Sequence, residues 1–220
     1  MKKYPEGVYK CVLFGGISEE GAAGILRTCR AQNIEAEKGD VIIAEGDPAD
    51  RIGIVAEGSV RISRTDIAGN ESILGRAESG DIFGESYALS DEQSMQVNVI
   101  AAERSVVTLI DASGIDEVKS ASESDMARFR GNLIRIMASK NLNFNRKIEI
   151  TSQRTTRGRL LMYLDIESKR RGSNEFDIPF DRQQLADYLE VDRSGLSAEI
   201  GKLGREGVLE SRRSHFKILI

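Results

Sequence analysis

Between about Ile34 and Ile110 the apolar residues come in short runs that alternate with polar ones or are rich in β-branched side chains. Val41–Ala44, Arg51–Ala56, Val60–Arg64 and Ser72–Arg76 are the clearest. Turn signals separate them: Glu37-Lys38-Gly39-Asp40, Glu45-Gly46-Asp47-Pro48, Glu57-Gly58-Ser59, Ala68-Gly69-Asn70 and Ser79-Gly80-Asp81. Their glycines lie 7, 12, 11 and 11 residues apart, which predicts an all-β barrel or jelly roll. Ahead of it, residues 18–31 read as a short helical pair with Ser18 as a cap.

From about Gly114 the period changes. Met126, Phe129, Leu133, Ile136, Met137 and Phe144 recur at three- and four-residue steps with charged residues between them, predicting one long helix from Asp125 to Glu149. Met126, Phe129, Leu133, Ile136 and Lys140 follow a heptad a/d order that suits a parallel homodimer. The same stripe also suits burial against the chain's own roll, and the two uses are compatible on opposite sides of the helix.

The elements after Thr151 are short. Thr156–Arg170 reads as an amphipathic helix. Asp181 caps a helix running to Leu189, Glu190-Val191-Asp192 is a tight link, and Asp192 caps a further helix beginning at Arg193. Val208–Ser211 and His215–Leu219 flank Arg212-Arg213-Ser214 as a hairpin with a basic tip. The expected fold class is therefore α+β, in three parts: a jelly-roll or double-stranded β-helix sensor domain (1–113), a long dimerisation helix and hinge (114–150), and a winged helix-turn-helix (151–220).

Composition removes whole classes of chemistry. The 220-residue chain carries two cysteines, Cys11 and Cys29, and one histidine, His215. That is too few thiols for a four-cysteine iron–sulfur cluster and too few imidazoles for most zinc or facial-triad iron sites. No Gly-x-Ser-x-Gly elbow or Gly-Lys-Ser phosphate loop occurs. No apolar run approaches membrane-span length and the N-terminal stretch lacks a signal-peptide core, so a cytosolic protein that is not an enzyme is expected. The net charge of −4 is uneven: residues 1–113 carry −8, while 114–150 and 151–220 carry +2 each. A polyanion would meet the back of the chain.

Two short helices joined by a three-residue link form a helix-turn-helix candidate. With Leu185, Leu189, Val191, Leu196 and Ile200 turned inward around small Ala186, the second helix presents Arg193, Ser194, Ser197, Ala198 and Lys202 outward. Residues near its N-terminus are placed to reach base edges of double-stranded DNA. Arg182 and Gln183, opening the first helix, and Arg212 and Arg213, in the hairpin, are placed for the backbone. Gly195, Gly201 and Gly204 weaken the second helix, so full ordering only on DNA is expected.

Taken in order, Gly39-Asp40, Glu57-Gly58-Ser59, Gly80-Asp81-Ile82-Phe83-Gly84-Glu85 and the run from Asp181 to Leu209 resemble the Crp/Fnr family of bacterial transcription regulators over nearly the whole chain. The resemblance implies a homodimer that reads a near-palindromic site through helix 193–206. It also implies RNA polymerase as a partner and an effector in the roll. In nucleotide-binding members a Gly-Glu holds the ribose and a later Arg holds the phosphate. Here Gly84-Glu85 is present, but Gln93-Ser94 aligns with the Arg, and no Lys or Arg lies between Arg76 and Arg104. A phosphate there would lack charge-assisted bonds worth about 1.5–3 kcal/mol each, which argues against cyclic AMP. Haem and an iron–sulfur cluster are not expected either.

The remaining expectation is a small organic effector near Gly84, Glu85, Ser86, Gln93, Ser94, Met95, Lys140 and Phe144. Asn145 also aligns with the pocket-lining part of the helix in nucleotide-binding relatives. Ala198 stands where many relatives carry a guanine-reading Arg, and Ser194 where they often carry Glu, leaving Arg193 as the strong reader. A cupin-like enzyme and a regulatory subunit acting through protein partners are the rival readings.

Overall fold

The computed structural model describes residues 4–68, 71–117 and 122–219, so the turn expected at Gly69-Asn70 lies outside the described residues. The chain divides into compact units at residues 1–138 and 139–220.

In the first unit, helices α1 (Glu6–Lys10) and α2 (Glu19–Thr28) precede strands β1 (Gln32–Ala36), β2 (Val41–Ile43), β3 (Arg51–Glu57), β4 (Ser59–Thr65), β5 (Glu71–Glu78) and β6 (Ile82–Phe83). Helix α3 (Glu85–Ala88) and strands β7 (Asn98–Ala101) and β8 (Ser105–Asp111) follow, then the long helix α4 (Glu123–Thr151). Two antiparallel four-stranded sheets, ordered β1-β8-β3-β6 and β2-β7-β4-β5, form the roll. Gly39, Gly46, Gly58 and Gly80 all take positive φ, between 76° and 97°, the conformation their turns demand and side-chain-bearing residues resist. Inside, Val55, Val107 and Leu109 of one sheet pack with Ile43, Val60, Ala77 and Val99 of the other. Phe83 lies on bare Gly53, where a Cβ would sit 2.0 Å from the ring.

The first sheet is also covered from outside, where Ile52, Ile54, Ala56 and Ile110 join α1, α2 and α4 in a second cluster. Burial on both faces explains why β3 is apolar without alternation. The helical pair expected over residues 18–31 is instead the single helix α2. Ser18 caps it by accepting from the Gly21 N–H at 3.1 Å, and the chain turns at Cys29–Arg30 into β1.

Helix α4 is longer than the periodicity indicated, 29 residues or about 43 Å. Its stripe is used within the chain. Met126 and Phe129 are 0% exposed and Leu133 4%, in one cluster with Val8, Leu13, Phe14, Ile25 and Leu26, while half-buried Ile136 and Met137 pack on its margin. The Phe14 and Phe129 rings lie 5.6 Å apart. Buried Asn132 donates to the Leu13 and Gly15 carbonyls at 3.1 and 2.9 Å, locking the segment before α2 onto the helix. Met126, Phe129 and Leu133 therefore do not offer a free dimer seam, because the N-terminal segment already covers them, whereas Ile136 and Met137 are only half covered.

Both cysteines belong to this cluster. The Cys11 thiol donates to the Gly80 carbonyl at 3.1 Å, and burial pushes the Cys29 thiol up to about 12.

The second unit contains the end of α4, helix α5 (Thr156–Arg171), strand β9 (Glu175–Asp177), helices α6 (Arg182–Leu189) and α7 (Arg193–Arg205), and strands β10 (Leu209–Arg212) and β11 (His215–Ile218). The basic-tipped hairpin gains β9 as a third strand, in the order β10-β11-β9. Ile150, Leu160, Leu164, Phe176, Leu185, Leu189, Leu196, Ile200, Leu203 and Phe216 form the core. No helix among the described residues is long and apolar enough to cross a membrane.

Substituting Phe129→Ala is expected to destabilise the first unit by about 3–5 kcal/mol in denaturant titration at a fixed protein concentration. A thiol-specific chromogenic reagent at pH 8 should find neither cysteine in the native protein and both after unfolding, since a buried, protonated thiol is a poor nucleophile.

Candidate nucleic-acid interface

Helices α6 and α7 meet at a turn in which Glu190 takes a left-handed conformation, φ 54°. Asp181 opens α6 with a reciprocal capping box to Gln184. Asp192 opens α7 by accepting from the Gly195 N–H at 2.8 Å and from the Ser194 hydroxyl, and these hydrogen bonds hold its carboxyl below the usual range. The carbonyls left over where α6 ends require donors. Arg159 of α5 supplies them, with Nη1 donating to the Leu189 and Glu190 carbonyls at 2.9 and 2.8 Å and Nε to the Gln153 carbonyl at 2.9 Å. Lys147 of α4 donates to the Tyr188 carbonyl, pairs with the Glu190 carboxylate at 3.1 Å and sits over the Tyr188 ring. Sequence reasoning missed Arg159 and Lys147, since a cation's reach to a distant turn leaves no local pattern.

Leu185, Ala186, Leu189, Leu196 and Ile200 are buried as expected, while Val191 is half-buried. Arg193, Ser194, Ser197, Ala198 and Lys202 are all exposed on α7. The Ser197 hydroxyl donates to the Arg193 carbonyl at 3.0 Å, so both serine hydroxyls are engaged within the helix. Despite three glycines α7 runs unbroken for 13 residues. Its cap and the ion pairs from Arg157 of α5 to Glu199 (3.6 Å) and Glu206 (2.7 Å) hold it, which replaces the expectation of ordering only on DNA.

Arg182 is half-buried, its guanidinium 5.6 Å over the Phe216 ring, with Nη2 donating to the Arg213 carbonyl at 3.3 Å and Nη1 without a partner. Burial draws its pKa down. It lines a cavity of about 500 Å³ with Ile178, Pro179, Phe180, Asp181, Arg213 and Ser214. Arg212 and Arg213 are exposed, and Arg213 forms the hairpin tip at φ 56°. Gln183 donates to Asp187 at 2.8 Å within α6. His215 stands in β11 between the Glu175 and Asp177 carboxylates, each 3.3 Å away. The structure thus brings Arg182, Arg213 and the start of α6 together.

The residues expected around an effector belong partly to the first unit and partly to the second. Gly84, at φ 77°, opens α3, and Glu85 is 4% exposed. Met95 is buried among the roll's interior side chains with Phe83, and Tyr87 packs against them. Ser86, Gln93 and Ser94 face outward, and the loop they bound is laced to residues 46–49 by Met95 N–H to Asp47 and Ala49 N–H to Gln93 hydrogen bonds. Lys140 and Phe144 belong to the second unit, where Lys140 is half-buried and Phe144 64% exposed.

A model of the cyclic nucleotide-binding domain matches residues 33–122, and one of the Crp-like helix-turn-helix domain matches residues 158–220. Electron transport regulator A of Shewanella oneidensis is 23% identical over 188 residues, 83% of this chain and 73% of that protein. The CRP-like cAMP-activated global transcriptional regulator of Mycobacterium tuberculosis is 33% identical over 73 residues, 33% of this chain and 32% of its own. Among solved structures, the c-di-GMP responsive global regulator CLP of Xanthomonas campestris matches with a TM-score of 0.55 at 20% identity, over 90% of this chain and 99% of that one. The catabolite activator protein of Thermus thermophilus matches at 0.52 and 23% identity, over 94% and 93%. These two structures share the fold.

Proposed function

We propose, from the premise that this chain belongs to the Crp/Fnr family of DNA-binding transcription regulators, that it acts as an effector-responsive homodimer reading a near-palindromic duplex site through α7. Its relatives are regulators rather than enzymes, so the cupin-like reading falls away. The observation that carries the proposal is the exposed, Asp192-capped start of α7 with Arg193 at its tip, together with exposed Arg212 and Arg213 and half-buried Arg182 beside them. Arg193 supplies a bidentate contact to one base pair, and the flanking arginines set the register on the phosphates.

The dimer uses the face of α4 left uncovered. Ala127, Gly131, Ile134, Ala138, Asn141, Asn145 and Ile148 recur at alternating steps of four and three and are exposed or half-exposed, Ile134 at 66%. Small residues in its first half permit close helix approach. Asn145, which donates to Asn141 at 3.2 Å, occupies an a position, where Asn favours one register and a dimer. A twofold mate would hold the second α7 about 34–36 Å away, one duplex turn. For the effector, Glu85 and the lack of any Lys or Arg between Arg76 and Arg104 favour an uncharged or non-phosphate organic molecule over a cyclic nucleotide. RNA polymerase completes the proposed partners.

Selection from random duplexes should return a two-half-site sequence. Arg193→Ala should then relax preference at one base pair per half-site, a change of about 1–3 kcal/mol, while Arg212→Ala and Arg213→Ala weaken all duplexes alike. Equal losses on every sequence from the Arg193 change would refute its role. Ile134→Lys, which alters an exposed position, should shift the sedimenting mass from dimer to monomer with secondary structure retained. An unchanged mass would overturn this seam.

A further inference from the structure

Helix α7 presents an uneven surface along its exposed side. After Arg193 come Ser194, Ser197, Ala198 and Gly201, all small, and both serine hydroxyls are already bonded within the helix. The guanine-reading Arg that relatives carry is absent at Ala198. Arg205, in the last turn, lies on the same side. Its guanidinium runs back along the helix so that Nη1 would stand 3.6 Å from a Cβ on Gly201, following the lean of helical side chains toward the N-terminus. Bare Gly201 is the floor on which that side chain rests. A glycine within a helix costs up to about 1 kcal/mol relative to alanine, and nothing else packs near Gly201 to require one.

Arg205 is exposed and has no ionic partner among the described residues. The two acids closest to it in α7 and at its end, Glu199 and Glu206, both face Arg157 instead. An exposed guanidinium at the far end of a recognition helix meets the rising sugar–phosphate wall of the groove rather than base edges, because only the first turns of such a helix enter deeply. We propose that Arg205, seated over Gly201, is a phosphate-binding cation that anchors the C-terminal end of α7. It forms a clamp opposite in sequence to Arg193 and separate from the Arg182–Arg213 cluster. The inference rests on the DNA-binding reading of α7 and adds to it a contact beyond Lys202.

The test is a salt titration of the full-length protein on its selected duplex and on an unrelated duplex of equal length. Arg205→Ala should weaken both alike and flatten the log–log salt dependence by about 0.9 per site engaged, so that its deficit shrinks about 3.5-fold per site between 50 and 200 mM salt. Arg205→Lys should keep the wild-type slope. Gly201→Leu, which fills the seat without removing the charge, should weaken both duplexes while circular dichroism stays unchanged. A wild-type slope in Arg205→Ala overturns the proposal, as does a loss confined to the selected duplex, which would make Arg205 a base reader. If the wild-type protein binds no duplex, the DNA-binding reading fails and this one with it; if it binds and Arg205→Ala behaves like it, only this one fails.

Discussion

Helix α4 carries more apolar surface than the chain itself covers, and that surplus governs the rest of the architecture. Met126, Phe129 and Leu133 are closed over by the N-terminal segment, with Asn132 fastening the backbone at Leu13 and Gly15. Ile134, Leu142, Phe144 and Ile148 remain in solvent on the single chain. Along this helix of about 43 Å the bare face, with small residues alternating with Ile and Asn, is the one the proposed symmetric copy would meet.

Much of this was legible beforehand, for identifiable reasons. The roll could be read because glycine turns and β-branched runs are local signals, and Gly39, Gly46, Gly58 and Gly80 do adopt the backbone their turns need. The two helices of the DNA-reading motif were legible through Asp181 and Asp192, whose caps mark where each begins. What escaped was non-local. Periodicity shows that a helix face is buried but not what buries it, so the stripe of α4 pointed as readily to a mate as to the chain's own first residues. Strand β9 has a single buried residue, Phe176, and exists because it pairs with Phe216 some forty positions away. The single helix at α2 replaced an expected pair because neither Gly21 nor Gly24 interrupts it; a Cβ on Gly21 would stand 2.6 Å from the Asp125 carboxylate, so there glycine serves packing rather than a turn.

The departures from the family's usual residues fall in two places. In the roll, the stretch that would cradle a phosphate holds no cation, and Met95 fills interior space beside Phe83. On α7 the middle of the reading face is reduced to hydroxymethyl, methyl and hydrogen. Both changes remove charge, one from the ligand side and one from the groove side. With α7 in the proposed reading role, base selectivity would depend on few side chains, with duplex shape and deformability carrying more of the discrimination.

The bonds from Arg159 and Lys147 to the turn after α6 have a mechanical meaning. Lys147 is the immediate neighbour of Ile148, so the residue that would face a mate and the residue that grips the turn share one stretch of backbone. In the proposed dimer, twisting that end of α4 about its own axis would drag the turn after α6 with it, as a crank drags a wheel keyed to its shaft.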